Sequence, residues 1–282
     1  MRVWHARRNN EMLIGLLLRS VLRMRLKLVF TSAAQRRHTG YTRWLIRRMD
    51  AVIATSTRSG SFLQVPHTVI QHGVDLNRFH PPETRDDRMA ATGLPGNYLI
   101  GCFGRVRHQK GTDLFVKAMI ELLPHYPDWT AVVCGRVTAE HRGFGDGLVK
   151  LVADAGLADR IRFLGEVDDI KPWYRRATLY VAPSRNEGFG LTPLEAMASR
   201  TAVVASDAGA YAEMIIPGET GTVVPAGDGD ALTKAIAFYL ADPEETLRQG
   251  ENAVRHVRSE FALEKEAMAI GDIYRQMLAT NG

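Results

Sequence analysis

From Tyr98 onward the chain alternates short apolar runs with amphipathic segments, and this alternation restricts the possible folds more than any other feature. Strand-like runs fall at 98–103, 130–135, 161–164, 178–182, 202–205 and 222–224, with helical patterns between them at 113–123, 147–155, 170–175, 193–199 and 231–240. Apolar runs of this kind, alternating with helices, mean βαβ units and a parallel sheet covered on both faces. Six such strands predict one doubly wound α/β domain with its ligands at the carboxyl ends of the strands.

A smaller α/β region precedes it. Its helices are expected near 10–25 and at 41–49, and its strands at 26–31, 51–55 and near 68–70. The region opens on Val3-Trp4-His5 as though already at a strand end. It holds only about 80 residues, whereas a full domain typically has roughly 100–150, so its front is expected to be absent. Pro66, Pro81, Pro82 and Pro95, with charges between them, read as an extended linker over 66–95. The closing stretch 261–278 has the pattern of a long amphipathic helix free to pack back on the first region. The expected division is therefore 1–81, 82–260 and 261–282.

Composition narrows the function. The two cysteines, Cys102 and Cys134, sit inside apolar runs and read as buried, unbridged thiols of a reducing compartment. No Cys/His spacing suggests a zinc site. The apolar stretch 12–18 is cut short by Arg19, Arg23, Arg25 and Lys27, far below the ~20 residues needed to span a bilayer. The net charge is +5, and arginines crowd the first fifty positions against only Glu11 and Asp50. Such a field suits phosphosugars or acidic lipid headgroups, with a solvated basic face as the plain alternative. Nucleic acid is set aside because no helix-turn-helix, zinc-finger or stacking signature accompanies the charge.

Two strand ends carry the chemistry. After the strand at 178–182 comes a loop with Glu187, Gly188, Phe189, Gly190 and Leu191, then a helix in which Thr192 is expected as N-cap and Pro193 at the first position. Free N–H groups and the positive end of that helix make an anion cradle. Glu187 before the helix and Glu195 in its first turn flank the cradle and can accept hydroxyl hydrogen bonds, an arrangement suited to a sugar nucleotide. For Glu195, complementing the helix dipole is the simpler alternative. After the strand at 98–103, Gly104-Arg105 and Lys110-Gly111 place two cations where a diphosphate clamp would sit. The Gly188-x-Gly190-x-x-Pro193 spacing imitates a dinucleotide fingerprint but lacks its third small residue. Asp228-Gly-Asp230 imitates a metal-binding pair, yet it precedes a helical pattern and reads as an N-cap. His5 follows an apolar strand end and could meet an acceptor; a structural role is equally open.

These residues resemble glycosyltransferase family 4. The resemblance rests on Gly104-Arg105 through Lys110-Gly111, on Glu187 and Glu195 eight positions apart, on Gln71-His72-Gly73 through Arg78-Phe79, on Phe163 through Asp168, and on Ala205 through Glu213. The first seventy residues resemble bacterial lipopolysaccharide core mannosyltransferases of the LpsB type. The resemblance implies a GT-B architecture, two Rossmann-like doubly wound domains facing a cleft, the first incomplete. It implies a retaining, metal-independent hexosyltransferase using a nucleotide sugar, with GDP-mannose preferred, and a lipid-linked oligosaccharide acceptor. Arg105 and Lys110 would hold the diphosphate and Glu187 the transferred sugar. Phe189, Gly190 and Leu191, with Gly104 and Thr192, would line sugar and phosphate, Glu195 would bind ribose, and Val167 and Asp168 would lie near the base. The leaving phosphate itself would take the acceptor proton. The family often has a histidine just after the strand at 26–31; here Ser32 stands instead. A cytoplasmic enzyme resting on the anionic inner face of the membrane is expected. The rival is a non-catalytic nucleotide-sugar-binding fragment lacking the family's N-terminal glycine-rich loop, which would bind nucleotide without turnover. An epimerase or phosphorylase on the same fold is less favoured, since neither its lysine nor its acid/histidine set is recognisable.

Overall fold

The computed structural model describes residues 1–279; the last three residues of the expected segment 261–282 lie outside that range. The chain divides into two compact units, Met1–Gly73 with the segment from Phe261 onward, and Val74–Glu260.

Among its described residues the first unit holds a four-stranded parallel sheet in the order β1-β2-β3-β4. The strands are β1 (Arg2–Ala6), β2 (Leu26–Ser32), β3 (Ala51–Ala54) and β4 (Thr68–Val69), linked by helices α1 (Asn9–Ser20), α2 (Gly40–Ile46) and α3 (Thr57–Gly60). Strands that add in sequence order through right-handed crossovers keep their helices on one face. There Met12, Leu16, Leu28, Phe30, Leu45 and Val52 close one core. Val29, Ile53 and Ile70 on the other face are covered by Ala269, Ile270, Ile273 and Met277 of the closing helix Leu263–Ala279. Both faces are thus dry, as a parallel sheet requires.

The second unit is a six-stranded sheet whose paired strands all run parallel, in the order β10-β9-β8-β5-β6-β7. Its strands are β5 (Tyr98–Phe103), β6 (Trp129–Cys134), β7 (Ile161–Gly165), β8 (Leu179–Ala182), β9 (Ala202–Ser206) and β10 (Gly221–Val224). Its helices are α4 (Thr112–Leu122), α5 (Arg142–Asp154), α6 (Lys171–Arg176), α7 (Thr192–Ala198), α8 (Tyr211–Met214), α9 (Gly229–Ala241) and α10 (Pro243–Glu260). The chain builds outward from β5 to β7, then returns to β8 and builds the other way. The core includes fully buried Phe115, Trp129, Val181, Val204 and Ile236, each large aliphatic or aromatic side chain contributing roughly 1.5–3 kcal/mol on burial. Trp129 remains satisfied by donating its indole N–H to the Leu240 carbonyl at 3.1 Å. Cys102 and Cys134 are buried and unbridged, and burial pushes both thiols up to about 12.

One expectation needs correction. The stretch 66–95 is not one extended linker, since it contains β4 and the single-turn helices Arg85–Asp87 and Met89–Thr92. Asp87 holds it down: its carboxylate accepts from the Glu83 and Thr84 backbone N–H groups at 3.2 Å and pairs with Arg175 of α6 at 2.5 Å. Between 240 and the closing helix, where the sequence pattern shows no element, α10 is a further helix. It presents Thr246, Gln249, Gly250, Ala253, Val254 and Val257 inward. The Asp-x-Asp lookalike does cap a helix, Asp228 accepting from the Ala231 N–H at 2.9 Å.

Candidate nucleotide-sugar site

The reversal of strand order places β5 beside β8, where the loops leaving two adjacent strands diverge and open a crevice. The loop after β5 carries Gly104, Arg105 and Lys110; the loop after β8 carries Glu187 through Leu191. Glycine is required where the two meet: a Cβ on Gly111, at φ +70°, would lie 1.9 Å from the Pro183 carbonyl oxygen. Gly190, at φ +87°, likewise leaves only 2.3 Å between a hypothetical Cβ and the Tyr211 ring.

Ion pairs fasten the loops together. Lys110 donates to the Glu187 carboxylate, whose other oxygen accepts from the Gly188 N–H at 3.1 Å. Arg185 forks onto Asp113 at 2.7 and 2.8 Å and also donates to the His108 carbonyl at 2.6 Å. Burial would raise the Asp113 carboxyl, but the Arg185 hydrogen bonds and charge outweigh it and hold it below the ordinary range. Lys110 and Glu187 therefore stand ready in a fixed frame rather than on free loops.

The floor of the crevice is aromatic. Phe103 meets Tyr174 edge-on, with centroids 4.8 Å apart, and the Tyr180 hydroxyl donates to the Phe103 carbonyl at 3.2 Å. Tyr174 donates its hydroxyl to Glu195 at 2.8 Å. Burial pushes the Glu195 carboxyl above its usual value, while Tyr174 and the Arg78 charge pull it back. A desolvated carboxylate fixed by one donor, with a second oxygen to spare, suits a hydroxyl ligand.

Helix α7 does not open as expected. Leu191 occupies the N-cap position with helical backbone angles (φ −78°, ψ −22°) and no side-chain cap, and Thr192 is already the first helical residue. A chain entering the helix in helical geometry points its side chains away from the first-turn N–H groups. Thr192 instead lines a narrow cavity together with Arg105 and Tyr211.

Two cavities share a wall. A narrow one is lined by Gly104, Arg105, Lys110, Ser184, Thr192 and Tyr211. A wider one, about 280 Å³, is lined by Gly104, Arg105, Gly135, Arg136, Glu166 and Val167, together with Cys134 and Ile170. Gly104 and Arg105 belong to both, so one ligand can lay an anionic middle there and a flat group in the wider part. Val167 lines that part, whereas its exposed neighbour Asp168 does not. Phe189 is buried and its carbonyl accepts from the Ala210 N–H at 3.0 Å, while Leu191 is exposed. His5 belongs to the first unit. Its ring nitrogens meet Tyr274 at 2.5 Å and Thr31 at 2.6 Å within that unit.

Sequence reasoning missed Arg136 and Glu166, as well as the Arg185–Asp113 clamp. One signal was legible: Gly-Arg-Val occurs at 104–106 and again at 135–137, each time at a strand end. The two meet closely, since a Cβ on Gly135 would lie 1.8 Å from the Gly104 carbonyl oxygen.

A crevice at the switch point of a doubly wound sheet marks an α/β protein of the class that binds ligands at the carboxyl ends of its strands. The family described as "Glycosyl transferases group 1" matches residues 84–256, and the chain belongs to it. Among its relatives, the lipopolysaccharide core biosynthesis mannosyltransferase LpcC of Rhizobium leguminosarum bv. viciae is 75% identical over 99% of this chain and 80% of the relative. The lipopolysaccharide core biosynthesis mannosyltransferase LpsB of Rhizobium meliloti (strain 1021) is 54% identical over 98% of this chain and 80% of the relative. Among solved structures, Anabaena Alr3699/HepE in complex with UDP matches with a TM-score of 0.89 at 22% identity, covering 98% of this chain and 79% of that one. The fold is α/β with parallel sheets, of the GT-B glycosyltransferase class.

Proposed function

We propose that this glycosyltransferase moves a mannosyl residue from GDP-mannose to a lipopolysaccharide core or another lipid-linked glycan, retaining anomeric configuration and using no metal. The observation that carries the reading is the wall shared by the two cavities at Gly104 and Arg105. The diphosphate rests on Arg105 and Lys110, which stabilise the charge that builds on the leaving nucleotide. The base occupies the wider cavity beside Val167, and Glu195 takes the ribose hydroxyls. Glu187, already bound by Lys110 and the Gly188 N–H, accepts hydroxyls of the transferred sugar rather than shuttling protons. The departing phosphate removes the acceptor proton on the same face of the sugar. Mannose and the lipopolysaccharide core are supported by the names of the two rhizobial relatives.

The acceptor's lipid side is assigned to the first unit, resting on an anionic inner membrane face. Leu17, Val21 and Leu22 are at least half exposed beside Arg23 and Arg25, and Trp44 is stacked near Tyr41 with the Arg48 guanidinium 3.9 Å from its ring centre. Exposed apolar and aromatic side chains among arginines suit an interface with acidic headgroups. No helix among the described residues is long and apolar enough to cross a membrane.

A thermal-shift panel of GDP, UDP and ADP sugars tests the donor, and equal shifts for all three would sink the GDP preference. Proton NMR of the product linkage tests retention, and full turnover in excess EDTA tests metal independence. Flotation with neutral and anionic liposomes tests the membrane part, which fails if both bind alike.

A further inference from the structure

At the opposite end of the second sheet from the crevice, where β5 and β8 begin, lies a cavity of about 280 Å³ whose lining includes Arg88, Arg175, Arg176 and Arg200. None of its lining residues belongs to the two crevice cavities. We propose that it is a second anion site that takes a phosphate group, either inorganic phosphate or a small phosphate monoester.

The charges do not cancel. Arg175 is neutralised by Asp87 at 2.5 Å, and the second Asp87 oxygen is spent on the Glu83 and Thr84 N–H groups and the Thr84 hydroxyl. Arg176 gives its Nε–H to the Asp86 carbonyl at 2.9 Å, a neutral partner that leaves its charge unbalanced. Arg88 is exposed and makes no ion pair among the described residues. Arg200 lies 3.3 Å from Glu251, but both side chains are well solvated, at 39% and 53% exposure, so that pair is weak. The carboxylate of Glu83, also in the lining, is 71% exposed and is engaged by His80 at 3.3 Å. Three guanidinium groups thus border one cavity against two solvated carboxylates, Glu83 in its lining and Glu251 beside Arg200.

The backbone at Arg200 adds a second observation. Arg200 follows α7 in the left-handed region (φ +69°), one of two non-glycine residues in the described chain with positive φ. Its N–H bonds the Met197 carbonyl at 3.1 Å and the Thr201 N–H bonds that of Ala196 at 3.0 Å, the helix-ending pattern that glycine usually completes. Gly250 of α10 presses against the Arg200 carbonyl, since a Cβ there would approach it to 2.4 Å, which fixes this conformation. This helix-ending backbone fixes where the Arg200 side chain leaves the chain, at the lining of the cavity. Guanidinium forks match the oxygens of a phosphate group.

The proposal is independent of the donor reading. Inorganic phosphate, glycerol 3-phosphate and a hexose 6-phosphate are titrated at constant ionic strength by calorimetry and thermal shift into the intact chain. The same titrations are made on Arg88→Ala/Arg200→Gly and on Arg105→Ala. The glycine substitution relaxes the left-handed backbone, so that variant is expected to melt cooperatively. Saturable binding that survives Arg105→Ala and weakens about tenfold or more in Arg88→Ala/Arg200→Gly supports the site. Tighter saturation by a monoester than by inorganic phosphate identifies the organic ligand; the reverse identifies free phosphate. No saturable binding, or binding lost in Arg105→Ala but kept in the double variant, overturns it.

Discussion

The carboxyl edges of the two sheets are built from the same parallel strands but furnished differently. In the second unit the strand order reverses between β5 and β8, the following loops part, and Arg105 and Lys110 line an opening, with Glu187 paired to Lys110. In the first unit the described strands follow one another in order from β1 to β4, without such a reversal. There His5 spends both ring nitrogens on Tyr274 and Thr31, and burial, with the Arg7 charge, lowers its pKa. Topology thus decides which polar side chains are held for a ligand and which are used up by the fold.

The largest expected effect falls on the reversal point. Lys110→Ala should lower kcat by about 10²–10³-fold, the usual effect of removing one preorganised donor from a developing anion, while circular dichroism stays that of the parent. His5→Gln should leave kcat within a few-fold. If steady-state kinetics show His5→Gln as damaging as Lys110→Ala, with both variants folded, the contrast between the two edges is broken.

Arg185→Ala tests whether the loops need fastening. It leaves Asp113 without its fork and frees the loop after β8 from the His108 carbonyl. The donor KM should rise about tenfold, the effect expected from losing a charge-assisted bond, with a smaller change in kcat. Equal losses in kcat would instead place Arg185 at the reacting atoms.

Glu195→Gln sharpens the comparison from the stability side. Burial raises the folded carboxyl's pKa above the ordinary 4.5, so the folded state keeps its proton where the unfolded chain has released it. Stability attached to this group is present below about 4.5 and is lost as pH climbs through the folded value. Glutamine does not titrate, so the variant should melt higher than the parent at pH 7, with the gap closing toward pH 4.5. Nucleoside diphosphate affinity should fall about tenfold. A variant that melts lower at pH 7 would mean that the carboxylate stabilises the fold instead.

How much of this was legible depended on what each segment buries. Strand β5 is a continuous apolar run with no polar interruption, and its expected and observed bounds coincide at Tyr98–Phe103. Helix α10 escaped because it packs through Thr246, Gln249, Gly250 and Ala253, small or polar residues that carry little apolar rhythm. Arg105 and Lys110, commonplace as a surface pair, stood out only together with the second strand end that carries Glu187 and Glu195. Tyr174 did not, since nothing in Trp173-Tyr174-Arg175 shows that the phenol reaches Glu195, twenty-one positions on. Thr192 misled because Thr-Pro ahead of an apolar run is a common helix opening, while the preceding loop had already turned helical.

The smallest effect concerns the furnished edge of the first unit. A buried imidazole with a lowered pKa stays neutral in the folded state at a pH where the unfolded chain has taken up a proton. Its contribution is present above the ordinary 6.5 and is lost as pH falls through the folded value. Thermal midpoints should therefore drop more steeply below pH 6.5 in the parent than in His5→Gln, whose amide can still reach Thr31 or Tyr274 but does not titrate. Amide exchange followed over the same range should locate the loosening in β1, β2 and the closing helix, the three elements that His5, Thr31 and Tyr274 join. Matching pH profiles for parent and variant would show that His5 is not the titrating group, and would return it to the candidates for a ligand role.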